Sequence, residues 1–385
     1  MNNINSLELA KSVHDYVVTY RHDFHRYPEP SLKEFQTTDK IDSALKEMGI
    51  PTRRLDPTGV IGEIKGGKPG KTIALRADID ALPVTELSGV DYASENEGFM
   101  HACGHDTHAS MLLGAAKCLN EMKDDLAGTV RLIFQPAEEI LKGGALVIEQ
   151  GGLDDVEYIF GMHIAAQIPV GVIATSPGPS LAASSTFKLK VNGASSHGAM
   201  PNLGIDATVA ASAIVMNLQS VVSREVPPLE PVVVTVGLLK SGTRPNIVSG
   251  EAYMEGSVRT FSRDLRPELP KMIRRIAEDT AAAYRCTVDL NYEDLIDVLV
   301  NDPEATDIMK GAAEKIVPAA AIQPIGKQMG SEDFAAYTSK TKASFAIVGG
   351  GGTYPQHSDH FFIEDAALDY GVALYTQCAI DALSE

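Results

Sequence analysis

The sequence predicts an α/β chain in which a mostly parallel-sheet domain is interrupted by a smaller inserted one. Three observations carry this. Short strand-like runs alternate with helical patterns through the first part of the chain. The alternation stops at the turn-rich stretch Thr175-Ser176-Pro177-Gly178-Pro179-Ser180, and a β-α-β-β-α-β order follows. From about Ile296 the helix–strand alternation returns and continues to the C-terminus.

Taken in order, Leu9, Val13, Val17 and Val18 recur near helical spacing and predict a helix over Ser6–Arg26. Asp39–Met48 reads as a second helix that ends at Gly49. Strands Val60–Ile64 and Thr72–Ala77 flank the turn Gly66–Gly70, which reads as a hairpin. The end of that turn, Gly70-Lys71-Thr72, imitates a phosphate-binding loop. Lys65 stands where that motif needs glycine, and a strand follows instead of a helix, so the motif is rejected. Helix Ser110–Met122, strand Thr129–Phe134, helix Gly144–Gln150 and strand Tyr158–Met162 complete the first stretch. The insert reads as strand Ser185–Val191, helix Ile205–Val221, strands Val232–Leu239 and Gly250–Arg259, helix Leu265–Tyr284 and strand Thr287–Tyr292. That order is the ferredoxin-like split motif. The predicted borders are 1–178 and 294–385 for the outer domain and 179–293 for the insert.

Length and composition fit this picture, since 385 residues suit two domains. Lys+Arg 33 against Asp+Glu 51 leaves a net charge of −18. That argues against nucleic-acid or anionic-membrane binding, which need a basic face. No apolar run approaches the roughly 18–20 residues of a membrane span, and Met1–Leu7 is polar, unlike a signal peptide. Four cysteines, Cys103, Cys118, Cys286 and Cys378, lie too far apart for a disulfide framework, and a cytoplasmic location is expected.

Chemistry concentrates at Met100-His101-Ala102-Cys103-Gly104-His105-Asp106-Thr107-His108, just before a helix. Thiolate and imidazole are the ligands that borderline divalent metals prefer. Cys103 and His105 are two apart, so an extended backbone points both side chains to one side. His101 and His108 read as loop or helix-capping residues. Gln135-Pro136-Ala137-Glu138-Glu139 leaves the end of a strand, where one carboxylate can bind metal and its neighbour can act as a general base. His163 follows the strand Tyr158–Met162. The run Gly349–Gly352 leads to His357 and His360, either of which suits a last ligand by spacing.

Several further segments then fall into order: His25-Arg26-Tyr27-Pro28-Glu29, Leu75–Pro83, Ala102–Asp106, Phe134–Glu139, Ser196-His197-Gly198-Ala199-Met200-Pro201 and Gly330-Ser331-Glu332-Asp333-Phe334. Together they closely resemble the peptidase M20 family of metallohydrolases, in its aminoacylase-type amidohydrolase branch. That branch includes hippurate hydrolases, N-acetyl-diaminopimelate deacetylases and auxin-conjugate hydrolases. The resemblance implies a zinc-exopeptidase-like catalytic domain with a satellite domain that dimerises. It implies two divalent metal ions per subunit (zinc, manganese, cobalt or nickel), held by Cys103, His105, Glu139, His163 and His357. Glu138 becomes the base, and Asp80 an orienting carboxylate behind the ligands. His197, reaching across a dimer, becomes an oxyanion donor. In the mechanism so implied, Arg259 and Asn246 are the candidates for holding a substrate α-carboxylate. Two departures stand out: Asp78 occupies the histidine position of the wider family's His-x-Asp strand motif, and Ile164-Ala165-Ala166-Gln167 lacks the expected aromatic and proline.

The expected reaction is metal-dependent hydrolysis of N-acyl-L-amino acids to an amino acid and a carboxylic acid. The alternatives are a dipeptidase or aminopeptidase of the same superfamily, and a non-catalytic conjugate-binding protein. Expected partners are a small N-acyl amino acid and a second copy of the chain, with neither nucleic acid nor membrane.

Overall fold

The structure is a computed structural model that describes residues 5–384. Along the chain, α1 (Ser6–Ser12), α2 (His14–Arg26) and α3 (Phe35–Glu47) precede β1 (Thr52–Arg54), β2 (Val60–Lys65) and β3 (Lys68–Asp78). Then come α4 (His105–Glu121), β4 (Ala127–Gln135), α5 (Gly143–Glu149), β5 (Val156–Ala165) and β6 (Ile173–Ala174). Next are β7 (Ala183–Asn192), β8 (Ser196–His197), α6 (Ala207–Ser220) and β9 (Val232–Ser241). They lead to β10 (Ile247–Val248), β11 (Glu251–Thr260), α7 (Leu269–Ala283) and β12 (Thr287–Ile296). The chain closes with α8 (Pro303–Ile316), β13 (Ile322–Gln323), β14 (Lys342–Gly349) and α9 (Leu368–Ser384).

Two compact units result. One holds the chain up to Ser180, Val300–Gly326 and the residues from Glu332; the other holds Leu181–Leu299 and Lys327–Ser331. In the first unit, among the described residues, eight strands form one sheet in the order β1-β2-β4-β3-β5-β14-β6-β13. Its centre, β4-β3-β5-β14, is parallel. These strands are near-continuous apolar runs because they are buried on both faces: Tyr158, Ile159, Phe160, Met162 and Ile164 of β5 all sit inside. Helices α4 and α9 pack together and against β3 in the same core. The second unit has an antiparallel sheet, β9-β11-β7-β12. Alternation along β7 is clean. Phe187, Leu189 and Val191 join a core with Ile214, Leu218, Ile273 and Ile276 of α6 and α7, while Lys188 and Lys190 face solvent.

The local expectations need four corrections. The predicted hairpin at Gly66–Gly70 is absent, because β4 lies between β2 and β3, antiparallel to one and parallel to the other. The first helix breaks into α1 and α2 around Val13. Helix α3 starts at Phe35 rather than Asp39. The Glu29 carboxylate accepts from the backbone N–H groups of Gln36 (3.2 Å) and Thr37 (2.9 Å), which otherwise lack partners at a helix start. Helix α7 begins at Leu269 rather than Leu265, with Pro270 in its first turn.

Candidate metal centre

The parallel strands deliver the candidate ligands from their carboxyl ends. Strand β3 leads into Ile79 and Asp80, and β4 ends beside it with Gln135 opposite Asp78. His163 lies on β5 opposite Ile347 of β14, and β14 runs into the glycine-rich loop that carries His357. Crevices outside these strand ends are where open α/β sheets bind ligands. His105 opens α4 rather than lying in an extended stretch, so the two-residue spacing works differently from the sequence reading. Gly104 adopts φ +94°, and a Cβ there would come within 2.4 Å of the Ile164 side chain. Only glycine makes that turn, and the turn brings Cys103 and His105 together.

The donor atoms form overlapping groups in which every member lies within 4.8 Å of the others: Cys103, His105 and His163; Cys103, Glu139 and His357; His105, Glu138 and Glu139. The structure thus gathers all five expected ligands and Glu138. Cys103 Sγ is 3.2 Å from His163 Nε2. The Nε2 atom of His105 lies 3.9 Å from both Glu138 Oε2 and Glu139 Oε1, and His357 Nε2 lies 3.8 Å from Glu139 Oε2. Between His357 and His360, the structure selects His357; the His360 ring turns to Asp359.

Several features fit a divalent cation. His105 Nε2 and Glu139 Oε1 are buried with no hydrogen-bond partner, while the far side of the ring is anchored. His105 Nδ1–H donates to the Asp80 carbonyl oxygen (2.8 Å) and carboxylate (3.2 Å), and His163 Nδ1–H donates to the Ile164 carbonyl (2.7 Å). Metal-binding imidazoles are commonly fixed in this way, with the other nitrogen free. Burial, helped by the neighbouring His108, pulls the His163 pKa down to about 3, so the ring offers a lone pair at neutral pH. Burial pushes the Cys103 thiol well up, with Glu139 and Glu138 adding to it, so it ionises when a cation arrives. Burial, with Asp80 and Asp78, holds the Glu139 carboxyl at about 7. For Glu138, burial and the nearby Glu332 and Asp333 hold the carboxyl well above the usual range.

Asp80 organises this group. Its carboxylate accepts from His105, from the Ser31 hydroxyl (2.6 Å), and from the backbone N–H groups of Glu138 (3.1 Å) and Glu139 (3.0 Å). One side chain therefore sets a ligand ring and the two carboxylate-bearing residues.

Other residues here hold roles that the sequence reading did not assign. His108 is fully buried: its Nδ1–H donates to Asp78 (2.6 Å), and its Nε2 accepts from the Ile164 N–H (2.8 Å). Both nitrogens are used, so His108 buttresses the site without a free atom for metal. Asp78 also takes a bond from the buried Arg76 guanidinium (2.6 Å). Arg76 further bonds Gln135 (2.8 Å) and Asp333 (2.7 Å). The clue was Asp78 in the place of a histidine, flanked on β3 by an inward arginine. The unusual Ala165-Ala166 pair lies beside the glycine loop: a Cβ on Gly350 would meet Ala166 Cα at 3.2 Å. Ala166 is fully buried, so it packs under that loop rather than lining an open pocket.

The second unit holds the other three candidates. His197 pairs across β8–β10 with Ile247, and its exposed ring accepts from the Ala199 N–H (3.1 Å). Asn246 adjoins it, its backbone carbonyl accepting from the Gly198 N–H at 2.7 Å. Arg259 lies elsewhere, on β11, half-buried, with its guanidinium on the Ser331 hydroxyl. Burial lowers its pKa, and among the described residues it forms no ion pair.

Comparison with known proteins places these observations. Residues 74–381 match the model for peptidase family M20/M25/M40. An N-acetylcysteine deacetylase of Bacillus subtilis (strain 168) is 38% identical over 380 residues, covering 97% of this chain and 98% of its own. Thermostable carboxypeptidase 2 of Saccharolobus solfataricus is 37% identical over 381 residues, 96% of each chain. A crystal structure of the Bacillus subtilis YXEP protein, described as a dinuclear metal-binding peptidase of the M20 family, superimposes with a TM-score of 0.85. It is 36% identical and covers 97% of this chain and 99% of that one.

Proposed function

The chain belongs to peptidase family M20/M25/M40 and is a hydrolase acting on amide bonds; from that premise we propose that it is a metal-dependent N-acyl-L-amino-acid amidohydrolase. The observation that carries the reading is the convergence of Cys103, His105, Glu139, His163 and His357 on one another beside the buried carboxyl of Glu138. Two divalent cations (zinc, manganese, cobalt or nickel) would be held by those five residues and would supply Lewis acidity, lowering the pKa of water from about 16 towards about 7.

The remaining work falls to side chains. Glu138 takes the proton of the attacking water and returns it to the departing amine nitrogen. Its burial suits this, since a raised proton affinity helps the carboxyl take up the proton that it then hands on. His197 offers its ring N–H to the developing oxyanion, supplied by the second subunit of a dimer. Arg259, a half-buried guanidinium that pairs with no acid among the described residues, takes the α-carboxylate of the leaving amino acid in a bidentate bond, and Asn246, beside His197, is the second candidate for that carboxylate. The insert, 179–293, acts as lid and dimerisation domain. Exposed apolar side chains on it support that role: Val209 and Met216 of α6 are 47% and 71% exposed, and Leu239 of the edge strand β9 is 45% exposed. We place the enzyme in the cytoplasm, with neither membrane nor nucleic acid as a partner.

The similarity to a carboxypeptidase favours one second reading. A peptide with a free C-terminus is itself an N-acyl amino acid with a longer acyl group, so the same carboxylate anchor serves both substrates. The test is release of free amino acid from N-acetyl-methionine, hippurate, N-acetyl-diaminopimelate, an N-blocked dipeptide and a free dipeptide. Each is assayed native, after chelation and after metal restoration. Chelator-sensitive, metal-restored cleavage of the acyl amino acids is expected. Preference for the N-blocked dipeptide selects the carboxypeptidase reading, and a requirement for the free amine overturns both.

A further inference from the structure

A buried carboxylate outside the ligand set grips the turn that carries Glu138 and Glu139. Glu34, just before α3, is fully buried, as is Ala137. Its Oε1 accepts from two backbone N–H groups, those of Ala137 (2.9 Å) and Leu32 (3.0 Å). Its Oε2 accepts from the Thr58 hydroxyl (2.5 Å). Both amide donors belong to non-glycine residues in the left-handed region, with φ 59° at Ala137 and 62° at Leu32. Side-chain-bearing residues rarely adopt this conformation, and where they do the surroundings must enforce it. The next two amides along the chain, of Glu138 and Glu139, end on Asp80. Three consecutive backbone N–H groups are thus held by two buried carboxylates from different loops. The Ala137 carbonyl is tied as well, accepting from the N–H groups of Lys142 and Gly143 (both 3.2 Å).

We propose that Glu34 is a positioning residue for the hydrolysis: by holding the left-handed turn at Ala137 it aims the Glu138 carboxylate and, through the same turn, Glu139. Its catalytic consequence rests on the amidohydrolase reading above; its mechanical part does not. Asp80 fixes where the two glutamates start, but it does not touch Ala137. Without Glu34 the Ala137 N–H is buried with no acceptor, and the left-handed conformation loses its only side-chain support among the described residues. The turn relaxes and Glu138 leaves its place. Misplacing a reacting group by about 1 Å costs on the order of 100-fold in rate. What Glu34 needs for this is an acceptor oxygen at a fixed reach, not a charge. Glutamine supplies that oxygen to both amides and turns its NH2 to Thr58, whose hydroxyl rotates to accept. Aspartate keeps the charge but is one methylene short.

The experiment compares Glu34→Gln, Glu34→Asp and Glu34→Ala with the wild type in two ways. Amide hydrogen exchange of a peptide spanning residues 135–140 is measured on the metal-free protein. Metal content, kcat and KM for N-acetyl-methionine are measured after metal loading. In E34A the segment should exchange about ten-fold or more faster. Its kcat should fall on the order of 100-fold with KM within about 3-fold, as expected when a transition-state interaction is lost. E34Q should match the wild type in every readout, and E34D should fall between. Equal exchange and equal kcat in E34A overturn the proposal. So does E34Q failing as badly as E34A, which would assign a role to the charge. Loss of activity only in proportion to the unfolded fraction also overturns it, as does failure of both E34A and E34D to fold. If the wild type cleaves no N-acyl amino acid, the proposed function falls, and the exchange comparison alone decides whether Glu34 holds the turn.

Discussion

Replacing Asp80 by asparagine tests how much of the centre hangs on one side chain. The substitution keeps shape and volume but changes what the head group can do. The carboxylate accepts from four donors: the His105 ring, the Ser31 hydroxyl and the N–H groups of Glu138 and Glu139. Asparagine offers one oxygen, and its NH2 must face a donor. If the oxygen stays with Glu138 and His105, the Glu139 N–H meets an NH2 group and Ser31 must turn its hydroxyl. One charge-assisted bond to His105 becomes neutral, and one buried N–H loses its acceptor. At about 1–3 kcal/mol for the orphaned donor and about 1 kcal/mol for the weakened bond, the total is roughly 2–4 kcal/mol. Part of this appears as lost stability and part as poorer ligand geometry. Altered supports behind metal-binding histidines typically cost about 10–100-fold in affinity or activity. D80N should therefore fold, bind the first equivalent of Zn²⁺ about 10–100-fold more weakly, and lose kcat by a similar factor. Zinc titration of the chelator-stripped protein measures the first quantity, and near-ultraviolet circular dichroism checks the fold. Wild-type zinc affinity together with more than half of the wild-type kcat would refute the role assigned to Asp80.

The remaining predictions follow from single residues. Glu138→Gln should keep its metal and lose turnover by about 10²–10⁴-fold, the usual worth of a general base; substantial residual activity removes Glu138 from that role. Cys103→Ala should bind less than the wild-type complement of metal by elemental analysis, and full occupancy would leave Cys103 a merely structural thiol. Met216→Glu, at a site 71% exposed on α6, should shift the protein to monomer in analytical ultracentrifugation without lowering its melting temperature. His25 gives a pH signature. Burial opposes its charged form, but Asp106 and Glu86 outweigh that and raise its pKa from 6.5 to about 9. Because the folded value is the higher one, its contribution of roughly 3 kcal/mol is complete below pH 6.5 and is lost as pH rises through about 9. Stability by urea unfolding should fall over that range in the wild type and more shallowly in His25→Gln.

Much of the fold was legible because strong local patterns survive folding. The apolar runs that became β4, β5 and the start of β9 read as strands from their residues alone, and the split order of the insert follows from its element sequence. Element edges were less legible because they depend on partners far along the chain. Helix α3 begins four residues early because Glu29 caps it, and α4 begins at His105 because Gly104 turns under Ile164. The missing hairpin at Gly66–Gly70 is the same lesson for sheets. A glycine-rich turn between two strands looks local, yet β4, some sixty residues later in the chain, takes the place between them.

The candidate ligands were legible because metals demand particular atoms, and His, Cys and Glu at strand ends advertise themselves. Their supports were not, because a supporting residue is defined by what it touches. Asp80 is recognisable from its motif, whereas Glu34 sits in an ordinary loop, and His108 looks like a fourth histidine until both its nitrogens are seen to be engaged. Charge was equally hidden. Asp78, Asp80, Glu138, Glu139, Glu332 and Asp333 come from three separated segments, and the buried Arg76 pairs with three of them, Asp78, Glu332 and Asp333. Without cations that excess cannot all stay ionised, and the carboxyls respond: burial holds Asp333 and Glu139 both at about 7 and Glu138 above its usual value. Divalent ions held at the centre would displace those protons, since ligands bind metal only when deprotonated. The acidity that raises proton affinity in the metal-free chain is thus the same field that favours dications. Arg76 fixes how much of the field remains: it neutralises the Asp78 and Asp333 side and leaves Glu139 with its unpartnered Oε1 facing His105 and its Oε2 facing His357.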